Sequence, residues 1–120
     1  MQENKNVEVK EELKNDSLNE DTLKAKYGRV IKINVELEEM GEDLTFYFKA
    51  PNTASFSRYI KNASKKQLQA GIDFSQENVI EEQKEKFKNV VENYVGVSQM
   101  VTAKILEMFG FTDNVTAKKL

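Results

Sequence analysis

The stretch Arg29–Leu37 alternates almost without fault. Ile31, Ile33, Val35 and Leu37 fall on one face of an extended chain, and Lys32, Asn34 and Glu36 fall on the other. Leu44–Lys49 repeats the pattern, with Leu44, Phe46 and Phe48 opposed to Thr45, Tyr47 and Lys49. The six residues between them are charged around Gly41, which suits a wet hairpin tip. Pro51 closes the second strand because it has no N–H for a ladder. Two strands are marginal alone, so helices or a second copy of the chain must cover the apolar face of this hairpin, residues 29–49.

The sequence after Pro51 is helical in pattern. Asn52 or Thr53 is a good N-cap for a helix over about 53–70, with Phe56, Tyr59, Ile60 and Ala63 as its apolar stripe and Gly71 as its stop. Ser75 is the expected cap of a second helix over about 76–95, lined by Val79, Ile80, Phe87, Val90, Val91, Tyr94 and Val95. A third runs over about 98–109 and stops at Gly110. The predicted fold class is α+β: an N-terminal β-hairpin packed against about three C-terminal α-helices in one domain over 23–110. Residues 1–22 read as a flexible polar arm, with a short helix capped by Asp16 or Ser17, and 111–120 read as a flexible tail.

Composition bounds the chemistry. The 120 residues include no His and no Cys, which removes the commonest general base, the hydrolase triads, thiolate chemistry and most zinc sites. The acids at Glu36, Glu38, Glu39, Glu42 and Asp43 lack calcium-loop spacing, and no Gly-rich phosphate loop is present. The expectation is a protein with no catalytic residues, no metal and no cofactor, and not an enzyme. No run has membrane-spanning length, and Met1–Asn15 is too charged for a signal-peptide core, so a cytoplasmic location is expected.

Two surfaces stand out. Residues 51–71 carry Arg58, Lys61, Lys65 and Lys66 and no acid. Arg58, Lys61 and Lys65 form a candidate self-association or anion-contact face. A basic-helix nucleic-acid regulator is the rival reading, and the net charge of −2, with Phe56 and Tyr59 on the core stripe, argues against it. The third helix is apolar most of the way round. Met100, Val101, Ile105, Met108 and Phe109 form a candidate client-binding surface, because methionines mould to varied partners.

The layout carries a resemblance. Leu-Lys-Ala-Lys-Tyr-Gly-Arg-Val at 23–30, a strand pair ending in Phe-Tyr-Phe-Lys-Ala-Pro at 46–51, and a helix opening with Phe-Ser-Arg-Tyr at 56–59 resemble the tail assembly chaperones of long-tailed, siphophage-like bacteriophages. The resemblance spans about 23–110. It implies a non-enzymatic protein of the bacterial host cytoplasm that binds the phage tape-measure protein and keeps it soluble until tail-tube subunits assemble. It also implies a homo-oligomer, ring or spiral, with the tail-tube protein as a further partner and no cofactor. A structural tail component is the second rival reading.

Overall fold

In the computed structural model, which describes residues 18–39, 41–110 and 116–120, a side-chain cap starts the first described helix. Residues 1–17 of the arm expected over 1–22, and 111–115 of the tail expected over 111–120, lie outside the described residues. The chain divides into two units, Met1–Val30 and Ile31–Leu120. In the first, α1 spans Glu20–Tyr27. Asn19, not Asp16 or Ser17, is the cap: its Oδ1 accepts from the N–H of Asp21 at 2.8 Å and of Thr22 at 3.4 Å. Glu20 and Asp21 in the first turn and Lys24 and Lys26 in the last complement the helix dipole. Gly28 ends the helix at φ 81°, a left-handed conformation that favours glycine. Leu23 is buried.

The hairpin forms as its alternation predicts, with β1 over Val30–Leu37 and β2 over Glu42–Lys49 in a two-stranded sheet. Gly41 turns the tip at φ 60°. The helices that follow differ from expectation. α2 spans Thr53–Ala63 and α3 spans Gln67–Asn78, so the single helix expected over 53–70 is two. The break falls at Ser64–Lys66, where Lys65 and Lys66 both donate backbone N–H to the carbonyl of Asn62 and Ser64 Oγ donates to that of Lys61. Gly71 does not stop a helix but lies inside α3. The stripe on α2 is also rotated: Ser55 is buried and Tyr59 half-buried, while Ile60 is 53% exposed.

The helix expected over 76–95 is interrupted too. α3 ends at Asn78, a 3₁₀ turn covers Glu81–Gln83, and α4 spans Lys84–Asn93. The last helix, α5, spans Gly96–Met108, near the expected 98–109. The interruption has a tertiary cause. Val79 leaves the helix to form an antiparallel bridge with Phe48, and Ile80 donates its N–H to the carbonyl of Tyr47 at 3.0 Å. The carboxamide of Gln83 continues this pairing: Oε1 accepts from the N–H of Tyr47 at 2.8 Å, and Nε2 donates to the carbonyl of Thr45 at 2.9 Å. The outer edge of β2 is thus closed by one short segment and one side chain.

The core lies beneath this seam. Phe46, Phe48 and Phe87 are fully buried, and Phe87 meets the two strand rings edge-on at centroid distances of 5.2 and 5.4 Å. Lys84 pins the end of α3 by donating from Nζ to the carbonyls of Gln76 at 2.8 Å and Glu77 at 3.3 Å. Burial, opposed by Glu81 and assisted by Lys49, holds its ammonium below the ordinary lysine pKa.

Gln83→Ala removes both bonds to β2 and leaves a strand N–H and a carbonyl without their partner. The expected loss is about 1–3 kcal/mol in urea unfolding. Gln83→Glu keeps the acceptor for Tyr47 but has no donor for Thr45 at neutral pH, so it is expected to cost at least as much. A change below about 0.5 kcal/mol in both variants, the range of an ordinary surface substitution, would rule out this role.

Candidate functional site

The roll of α5 about its own axis decides which of its side chains face outward. The Gln99 side chain lies over Gly71 of α3, in the space a Cβ there would take. The Gln99 amide donates to the carbonyl of Leu68 at 3.2 Å, and Thr102 Oγ1 donates to the carbonyl of Gly71 at 3.0 Å. These bonds hold Thr102 inward with Val101 and Ile105, and all three are buried. The stripe Met100, Lys104 and Met108, spaced by four residues, is left facing out.

Beside that stripe lies a groove of about 600 Å³. Val97 and Val101 on α5 line it together with Met100, Lys104 and Met108. The facing wall is β1, which contributes Lys32, Ile33, Asn34, Val35 and Glu36, followed by Glu38 in the turn. Successive strand residues point to opposite faces, so a groove touched by five in a row runs along the edge of the strand. Ile33 and Val35 are only half-buried although they pack against the core. The site is an apolar trough with a lysine on each wall and two glutamates on the β1 side.

The five candidate client-binding residues therefore separate. Met100 and Met108 are 73% and 57% exposed and form the wall of the groove. Val101 is its floor. Ile105 and Phe109 are buried in the core cluster and do not line the groove, which corrects the expectation for those two. Their positions next to the methionines on a mostly apolar helix gave no sign of the difference, because only the contact with α3 sets the helix roll. The wall from β1 was missed, since alternation marked Ile33 and Val35 simply as core.

The basic face is also altered. The Arg58 guanidinium bonds to the carboxylate of Glu77 on α3, beside Tyr59, whose ring lies 4.9 Å from that of Phe74. Arg58 spends its charge on that acid, whereas Lys61 on α2 and Lys65 in the following turn are exposed. Among the described residues, no group of three acidic side chains is placed to hold a metal ion, and no helix is long and apolar enough to cross a membrane.

Comparison with known proteins adds the following. A family described as a domain of unknown function, DUF6848, matches residues 23–118. The solved structure of the uncharacterised protein rbstp2171 from Bacillus stearothermophilus is similar to this chain with a TM-score of 0.72 and 28% sequence identity, over 83% of this chain and 100% of that one. No curated protein matches the sequence.

Wall and core residues are expected to respond differently to truncation. Ile105→Ala should cost about 2–5 kcal/mol, the range for emptying a buried site. Met100→Ala should shift stability by no more than about 0.5 kcal/mol, as at an ordinary surface position. Equal losses in chemical denaturation would contradict this division of α5.

Proposed function

The chain belongs to the DUF6848 family, and we propose that it is a non-enzymatic tail assembly chaperone of the long-tailed phage type. In this reading it acts in the bacterial host cytoplasm, binding the tape-measure protein and keeping it soluble until tail-tube subunits assemble around it. The observation that carries the reading is the groove between β1 and α5, with Met100 and Met108 held out of the core at its wall. A holding protein needs apolar surface that is displayed rather than buried, side chains that adapt to a varied client, and enough charge to stay dissolved. The groove meets the first two needs, and a chain that is 32% charged meets the third. A long, partly apolar helical client fits the chemistry of the trough, since one apolar helix face can lie along it. The shared layout at 23–30, 46–51 and 56–59 supports the same assignment.

Co-expression with a tape-measure fragment tests the reading. Met100→Glu with Met108→Glu is expected to keep the native circular dichroism spectrum, because both side chains are exposed, and to let the fragment precipitate, because charge is placed where apolar client surface must be buried. A folded double variant that still keeps the fragment soluble would refute this site. Recovery of the protein from purified virions would favour a structural tail component instead.

A further inference from the structure

The two edges of the hairpin are treated differently. β2 is closed by Val79, Ile80 and Gln83, whereas β1 pairs with β2 alone among the described residues. An open strand edge offers N–H and C=O groups to any extended chain. The side chains of β1 narrow the choice of chain, because they match their own reverse. Laid antiparallel on a second copy and centred on Asn34, β1 sets Lys32 opposite Glu36, Ile33 opposite Val35 and Ile31 opposite Leu37, while Asn34 meets its counterpart. Opposed residues in an antiparallel pair share a face. Both Lys–Glu pairs therefore fall on the exposed face, with every apolar pair on the other.

Other registers are poorer. A slip of one residue opposes apolar to polar side chains along the whole strand. Centring on Ile33 sets Lys32 against Asn34 and Glu36 against Val30, which loses both ion pairs. Centring on Val35 leaves Glu36 against Asn34 and carries Lys32 to Glu38, beyond the strand end.

We infer that β1 is a dimerisation strand: two copies of this chain join β1 to β1 about a two-fold axis at Asn34, making one four-stranded sheet. The incoming strand lies in the groove. Its Ile33 and Val35 add to the apolar side of the sheet and cover Met100 and Met108, along with the half-buried Ile33 and Val35 of the receiving copy. A contact of this kind closes at two copies, so a ring or spiral would need another surface. The pairing does not rest on the chaperone reading. If the groove also holds a client, client and second copy compete for it.

Sedimentation of the full chain at low salt tests the pairing. Wild type is expected to dimerise, and Lys32→Glu and Glu36→Lys, both at exposed positions, are each expected to weaken the dimer on the order of tenfold by turning two attractive cross-strand pairs repulsive. An equal mixture of the two variants restores both pairs, so it should dimerise as wild type does. The chain has no Cys, so Asn34→Cys places a single thiol at the axis and should oxidise to a covalent dimer, whereas Lys32→Cys should not. A wild type that stays monomeric at roughly 100 μM, where a micromolar contact is filled, would overturn the inference and leave the edge to another occupant, a client or another segment of the chain. Variants that dimerise as wild type, a mixture without recovery, or equal cross-linking at 32 and 34 would overturn it as well.

Discussion

The seam between β2 and Val79–Gln83 is the constraint on which the larger unit depends. A hairpin has two edges and two faces, and a domain of this size has few elements with which to cover them. One short segment here does several tasks. Val79 bridges to Phe48, Ile80 bonds to Tyr47, and the Gln83 carboxamide stands in for the next residues of a third strand. α4 starts at once, so Phe87 is delivered onto Phe46 and Phe48. The helix pattern over 76–95 is given up because closing a strand edge requires extended backbone, and the N–H and C=O groups of β2 would otherwise be left without partners.

A second set of polar contacts orders the helices. The Gly71 carbonyl accepts from both Ser75 Oγ on α3 and Thr102 Oγ1 on α5. Asn78 joins α3 to α2 through Ser55 Oγ, and Ser55 in turn donates its backbone N–H to the Asn52 cap. Ser55, Gly71, Ser75, Asn78 and Thr102 are buried, and among the described residues no buried side-chain nitrogen or oxygen lacks a partner. Such bonds are directional where apolar packing is not, so they set helix roll. The exposure of Met100 and Met108 follows from that roll.

The groove is thus the remainder of two local solutions. Val79–Gln83 close the edge of β2 while β1 pairs with β2 alone among the described residues, and locking α5 to α3 turns a methionine stripe toward β1. Apolar side chains and a strand edge come together in one trough. The proposed client and the proposed second copy would both occupy that trough as polypeptides.

The hairpin was legible in the sequence because alternation has the period of a strand and Pro51 marks its end. The start of α2 at the Asn52 cap was legible for the same local reason, as was the apolar character of α5. The break at Ser64–Lys66 carried no Gly or Pro, and Gly71 read as a stop although it lies inside α3 beneath the Gln99 side chain, since the sequence records flexibility and not what stands opposite. Of the candidate surface, Met100 and Met108 were found, while Ile105 and Phe109 belong to the core and Ile33 and Val35 to the wall. Sequence alone determined which residues are apolar and how they repeat along each element. Tertiary structure decided which of those faces are covered, because burial depends on the roll and contacts of neighbouring elements, and these are set by bonds between residues as far apart as Gly71 and Thr102, or Thr45 and Gln83.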